Sequence, residues 1–379
     1  MDNMLQKITD FIKKETVLTI ATALAVASAF WVHPGPQYVG YIDWRVLGIL
    51  LSLMLIVAGF QSNGLFDAIG SRLLAKTKNT AQLMLVLVFL CFFSSMFITN
   101  DVALLTFVPF ACTILQKCHQ ERLIVTAFVL QTLAANLGSM LTPIGNPQNL
   151  YLYSISGAGL GEFVGWMAPY TLVSGVLLLL VVFVLSAGKR RISLETGALL
   201  QTSGAAGRKK NGIYLALFVL SLLSVARVLP WELMLVVVLI VLIFTDRAVF
   251  LQVDYCLLFT FISFFIFIGN MGNIGAVRSV LQSLVAGREL AVGIGASQII
   301  SNVPAAILLS RFTQDARGLL VGVNVGGAGT LVASLASLIT FREYTRHVPN
   351  GGKQFLFLFS GISFTFLTIL LMAMSFLNG

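Results

Sequence analysis

The sequence predicts an all-α polytopic membrane protein with about eleven transmembrane segments. These form two inverted-topology repeats, each with a re-entrant hairpin and an unwound helix. Three observations predict this: an apolar composition, a lopsided placement of basic residues, and polar motifs of the first half that recur in the second.

Of 379 residues, 58% are hydrophobic and 10% charged, with a mean hydropathy of +0.93. Soluble domains run at roughly 45–50% apolar and about 25% charged, and a soluble chain of this size would need polar exteriors on its domains. Disorder requires the opposite composition. The net charge of +9 falls in short clusters between apolar runs, not on a stripe or arm, which argues against a nucleic-acid partner. No Gly-Lys-Ser/Thr phosphate loop is present, so no nucleotide is expected. Cys91, Cys112, Cys118 and Cys256 lack metal-ligand spacing and read as packing thiols. His33, His119 and His347 lie in polar breaks. With no nucleophile elbow or histidine pair, nothing indicates an enzyme, and no cofactor is expected.

The elements follow in order, a spanning helix needing roughly 20 mostly apolar residues. Segment 1–42 holds a span at 17–33 and a loop. Lys13 and Lys14 precede this span as in a signal peptide, but no small-residue cleavage site follows, so it reads as retained. The first repeat, 43–185, begins with a span at 45–60, continues through a hairpin at 80–116 and a broken helix at 122–156, and closes with a span at 163–185. A Gly-, Ser- and basic-rich linker occupies 186–212. The second repeat, 213–340, has spans at 213–229, 231–245 and 254–270, a hairpin at 289–312 and a broken helix at 318–340. Segment 341–379 adds a span at 355–377.

Basic residues set the orientation. Lys7, Lys13, Lys14, Arg72, Lys76, Lys78, Lys117, Arg122, the six between 189 and 210, Arg247, Arg342, Arg346 and Lys353 fall on one face, 18 in all. Arg45, Arg227, Arg278, Arg288, Arg311 and Arg317 fall on the other, making 6. The N-terminus and the linker are therefore expected in the cytoplasm, with the chain in the inner membrane.

The halves match in three places. Asp43 through Gly64 aligns with Asp254 through Gly275; Ser95, Thr99-Asn100-Asp101 and Ala103 with Ser297, Ser301-Asn302-Val303 and Ala305; Asn136, Gly138, Thr142, Ile144 and Asn146 with Asn324, Gly326, Thr330, Val332 and Ser334. The offsets shrink from 211 to 202 to 188 while the order is kept. On the charge map Asp43 begins its span outside and Asp254 begins its span inside. The copies then run oppositely, the construction of secondary transporters that bind near the midplane.

Membrane backbone leaves the helix only inside protein or beside water. Thr99-Asn100-Asp101 separates apolar arms at 80–98 and 102–116, and Ser301-Asn302 separates shorter arms at about 290–300 and 303–312. Two Ser/Thr-Asn tips meeting centrally would offer caps and first-turn N–H groups to an anion. The second break, Gly138 through Asn149, contains Pro143, Gly145 and Pro147 and must unwind. Its carbonyls, with Thr142, Asn146 and Asn149, suit a hard monovalent cation. Its twin is Gly326-Gly327-Ala328-Gly329-Thr330 with Ser334 and Ser337, without proline. Na⁺ is expected at Thr99, Asn100, Asp101, Gly145 and Asn146. Asp101, the one acid deep in the membrane, is a functional-site candidate by default: it holds a cation, carries a proton, or caps the returning arm. Asp43, Asp67, Glu232, Asp246, Asp254 and Glu289 read as interfacial. Gly322-x-x-x-Gly326 reads as part of the break and Gly157 through Gly161 as helix packing.

These motifs resemble the ion transporter superfamily, which includes divalent anion–sodium symporters, citrate–metal transporters and arsenite efflux permeases. The resemblance spans roughly 43–340 and rests on Thr99-Asn100-Asp101, Thr142 through Asn149, Ser301 through Ala305 and Asn324 through Ser337. It implies a scaffold domain that dimerises and a transport domain that slides across the bilayer. Each tip and its break would supply half of a shared cation and anion site. The dicarboxylate branch resembles Ser-Asn-Thr at both tips, whereas Asp101 and Val303 stand third here. An ionised Asp101 would repel a carboxylate unless neutralised, which favours the arsenite-permease-like or citrate–metal-like branch. The expectation is a carrier for a small anion or oxyanion coupled to Na⁺ or H⁺, with a cation/proton antiporter as the alternative. Asn100, Asn302, Thr142 and Thr330 would coordinate substrate or cation, with Ser301, Gly329 and Ser334 completing the site.

Overall fold

The computed structural model describes residues 15–185 and 205–377, with residues 6, 9, 11 and 12 ahead of them. Lys7, Lys13, Lys14, Lys189, Arg190 and Arg191, and most of the expected linker, lie outside the described residues.

The described residues lie mostly in helices. In order these are α1 (Thr16–Ser28), α2 (Gln37–Tyr41), α3 (Trp44–Ser62), α4 (Leu65–Leu74), α5 (Thr80–Ser94), α6 (Asn100–Lys117), α7 (Ile124–Ser139), α8 (Pro147–Ser156) and α9 (Leu160–Leu185). Then follow α10 (Ala205–Val225), α11 (Trp231–Thr245), α12 (Tyr255–Asn273), α13 (Gly275–Val285), α14 (Glu289–Ile300), α15 (Asn302–Ser310), α16 (Ala316–Val325), α17 (Leu335–His347) and α18 (Gly352–Leu377). Five stretches are long and apolar enough to cross a bilayer: 44–62, 121–139, 160–185, 255–273 and 352–375. Shorter apolar helices at 16–28, 80–94, 210–225, 231–245, 289–300 and 316–325 complete the set. The molecule is a polytopic membrane protein.

Some boundaries move. The expected linker gives way to helix at Ala205, so 205–212 belongs to α10. The span expected to reach 229 stops at Val225, where Arg227 takes a positive φ of 63° and turns the chain into Pro230 and α11. The sequence does not announce α2, α4 or α13 as spans, because they are short. α4 and α13 are amphipathic and leave α3 and α12 after tight turns.

Repeat-related elements share their starts. α3 and α12 each have 19 residues, and each begins on an aspartate whose side chain accepts an N–H three residues on: Val46 to Asp43 at 3.0 Å and Leu257 to Asp254 at 3.2 Å. Such caps satisfy first-turn donors that a helix cannot satisfy itself. α6 and α15 start on Asn100 and Asn302; α8 and α17 start directly after Asn146 and Ser334. The second copy is more compact, α15 having 9 residues against 18 in α6.

The core is built around α7, buried at every position but Thr126 and flanked by α5, α6, α9, α17 and α18. α9 and α18 instead present Leu172, Val184 and Phe357 outward. An apolar exterior of that kind suits a hydrocarbon solvent. Gly322 and Gly326 form a packing seam: a Cβ on Gly322 would lie 2.6 Å from the Leu290 carbonyl oxygen, and one on Gly326 2.9 Å from the Ile294 Cα. This corrects the reading of that motif as break alone, since small residues let α16 close on α14. A Cβ on Gly157, Gly159 or Gly161 would meet nothing within 4 Å, so these glycines form no close helix seam; Gly157 ends α8 at a φ of 71°.

Candidate functional site

Both helix breaks fall where prolines and glycines place them. Between α7 and α8, residues 140–146 run without helix; between α16 and α17 the gap covers 326–334, with a single 3₁₀ turn at Leu331–Ala333. Unwound backbone in a buried setting needs partners for its polar groups. The Asn149 amide supplies them at the first break, donating to the carbonyls of Ser139, Met140 and Thr142 at 3.3, 3.2 and 3.0 Å. Gln298 does the same work at the second, donating to Gly326 and Ala328 at 2.7 and 3.1 Å and accepting from the Thr330 N–H at 2.8 Å. The break carbonyls offered by sequence to a cation therefore already have amide donors, and Gly145 accepts from the Asn100 N–H at 3.0 Å.

The tips are held to the breaks by a recurring bond. The Thr142 hydroxyl donates to the Met96 carbonyl at 2.5 Å, and the Thr330 hydroxyl to the Gln298 carbonyl at 3.0 Å. Met96 and Gln298 are repeat mates, as are Thr142 and Thr330. Close approach recurs too. A Cβ on Gly138 would lie 2.2 Å from the Phe92 oxygen and 2.7 Å from the Ser95 Oγ, and its mate Gly326 sits against Ile294 and Ser297, the mates of those two residues.

At the centre two asparagines exchange partners between the copies. Asn136 on α7 accepts from the Ser334 hydroxyl at 3.0 Å and donates to the Ser337 Oγ at 3.1 Å. Its mate Asn324 on α16 accepts from the Asn146 amide at 3.3 Å and donates to the Asn149 Oδ1 at 2.6 Å. Ser334 and Ser337 are the mates of Asn146 and Asn149 at the same offset of 188. Each repeat's helix thus bonds the other repeat's break, and all six side chains are buried. Asn100 joins them by donating to the Asn136 Oδ1 at 3.0 Å, and Asn146 also donates to the Ser139 Oγ at 3.1 Å.

The remaining expected residues divide. Thr99 caps α6 through its backbone position alone, with φ −63° and ψ 148° and no side-chain cap bond. Asp101 lies in the first turn of α6, half-buried, its N–H donating to the Asn100 Oδ1 at 3.0 Å. It is not the capping residue, and among the described residues no hydrogen bond or ion pair reaches its carboxylate. Pro143 is buried in the first break. Ser301 and Asn302 are buried, and a Cβ on Gly327 of the second break would lie 3.1 Å from the Asn302 amide nitrogen. Gly329 points elsewhere, its N–H donating to the Ser363 Oγ of α18 at 2.7 Å. Asn136, Asn324, Ser139 and Gln298 were not among the expected site residues, whereas Ser337 was expected with Ser334 in the second break. For Asn136 and Asn324 the signal was present, since they head the third repeat match.

Ser301 departs from its mate in backbone. At φ 74° and ψ 154° it occupies a region that is essentially glycine's, whereas Thr99 is extended and relaxed. No arginine, lysine or histidine enters this network; the ion pairs among the described residues, Lys210–Asp246, Arg346–Glu343 and His347–Glu343, lie away from it.

The family profile described as citrate transporter matches residues 8–317. The inner membrane protein YbiR of Escherichia coli is 34% identical over 328 residues, covering 84% of this chain and 85% of its own. An uncharacterized transporter of Methanocaldococcus jannaschii is 33% identical over 339 residues, covering 88% of this chain and 89% of its own. The profile match takes in both tips, α7 and the first break, and ends before Asn324 and the second break. The chain belongs to the citrate transporter family.

Proposed function

We propose that this transporter carries a small anion or oxyanion, coupled to Na⁺ or H⁺, by elevator-type alternating access. The two copies lie oppositely in the inner membrane with the N-terminus in the cytoplasm, and their tips are re-entrant hairpins. The supporting observation is the exchange of Asn136 and Asn324 between the repeats. A carrier built from inverted repeats binds where broken helices of the two copies meet, and this exchange ties both breaks and the first tip into one polar centre. First-turn N–H groups of α6, α8 and α15 offer partial positive charge to an anion there. Na⁺ would draw on Thr99, Asn100, Asp101, Gly145 and Asn146, and Asp101 has the one carboxylate in that set. A homodimer, formed through a scaffold part, is the expected assembly.

Asp101 is assigned the coupling role because intramembrane acids are costly and retained for function. In proteoliposomes, Asp101→Asn is expected to keep the fold and to abolish the dependence of anion uptake on the cation or pH gradient. Unchanged uptake with unchanged ion dependence contradicts the assignment. One observation favours a second reading on the same fold: a network without a cationic side chain, next to an unbonded carboxylate, suits cation/proton exchange. Proton movement reported by a dye on adding Na⁺, with no anion present, selects that reading.

A further inference from the structure

Resting on the carrier reading above, we infer that Gln148 contacts the transported molecule, and that this molecule is an oxygen acid retaining at least one hydroxyl. Gln148 is the second residue of α8 and is 1% exposed, yet neither its amide nitrogen nor its amide oxygen has a partner. Most buried polar side chains in native proteins are paired, so an amide without a partner at either end calls for an explanation. Its position supplies one. Pro147 has no N–H, and the Asn149 N–H is taken by the Asn146 side chain at 3.0 Å. The Gln148 N–H is the first-turn donor that this cap leaves over.

Helix geometry places Gln148 on the side of α8 that faces α15. Asn149, one position on, reaches Asn324 of α16. Tyr151, nearly one turn on, reaches the Ser310 hydroxyl at the end of α15, at 2.9 Å. With about 100° between successive residues, Gln148 lies between these directions, facing α15. Asn302 at the start of α15 lies beside Gly327, three residues past Asn324, and Asn324 bonds Asn146 and Asn149 at the start of α8, so the starts of α8 and α15 lie near one another. Gln148 faces that junction. Its repeat mate is Ala336, so this amide has no counterpart in the other half.

The chemistry of the amide sets the ligand class. Its nitrogen donates to any acid oxygen, but its carbonyl oxygen is satisfied only by a donor on the ligand. A fully deprotonated oxyanion leaves that oxygen orphaned; an acid that keeps an O–H satisfies both ends. A site built to bond a substrate hydroxyl rejects the analogue lacking it.

The test is uptake into proteoliposomes of the full chain, with orthophosphate against sulfate, citrate against tricarballylate, and arsenous acid alone. Wild type is expected to take up a hydroxyl-bearing compound, at least about tenfold better than its hydroxyl-free partner where one exists. Gln148→Met, similar in length and without polar ends, is expected to raise KM for that compound about tenfold or more. Its melting temperature should be equal to or above that of wild type, since an orphaned amide is removed. Gln148→Leu is the second variant should the first fail to fold. Unchanged KM, or equal uptake of sulfate or tricarballylate, overturns the inference while leaving the carrier reading intact. No uptake of any of the five by wild type overturns both.

Discussion

Asn136 and Asn324 each occupy a buried position from which two side chains of the other repeat are satisfied. Truncating one leaves polar partners buried without a bond, a penalty of about 1–3 kcal/mol. Asn136→Ala and Asn324→Ala should each lower the melting temperature in detergent by several degrees. The double variant should cost less than the sum, because both act on one network. Strict additivity in that cycle would show the two asparagines to be independent. Gly138→Ala is expected to be worse, since its Cβ would meet a backbone oxygen at 2.2 Å that no rotamer change can move. Much at this scale was legible beforehand: Asn100, Thr142, Asn146, Asn149 and Ser334 all enter the hydrogen-bonded centre. Gln298 was not, because its mate is Met96 and a repeat comparison passes over a position whose chemistry differs.

The two breaks show how one element is built twice with different means. The first break is stiffened by Pro143 and Pro147 and tied by Asn149; the second has Leu331 and Leu335 at those places, follows a glycine-rich stretch at 326–329, and is tied by Gln298. Removing the tie should therefore matter more in the second. Gln298→Ala leaves the Gly326 and Ala328 carbonyls and the Thr330 N–H without that amide, and hydrogen exchange over 326–334 should rise well above exchange over 140–146. Equal exchange in the two breaks would contradict this account. The tips differ as well. Ser301 holds a backbone conformation costing about 1–3 kcal/mol for a residue with a side chain. Ser301→Gly is expected to raise the melting temperature and to impair transport; a lowered melting temperature argues that the conformation is not strained. Element positions were readable from prolines, glycines and apolar runs. The short amphipathic helices α4 and α13 were not, because a search for spans ignores helices of 10 and 11 residues.

Across the whole molecule, the shrinking offsets and the shared starts of α3 with α12, α6 with α15 and α8 with α17 describe two copies of one unit. Composition and charge distribution were enough to make the chain a membrane protein, and the family follows from comparison along most of its length. Substrate identity was not legible: Gln148, the residue proposed to discriminate, has Ala336 as its repeat mate, and a repeat comparison passes over such a position. The central claim is that the copies face opposite ways across the bilayer. It predicts that α4 and α13, which leave the ends of the matched helices α3 and α12, lie on opposite faces. Asp67 on α4 and Ser279 on α13 are both exposed. With the four native cysteines replaced, Asp67→Cys and Ser279→Cys can be labelled in sealed right-side-out vesicles with a membrane-impermeant maleimide. The prediction is that Ser279→Cys reacts from outside and Asp67→Cys only after the vesicles are opened; reaction of both from the same side contradicts it.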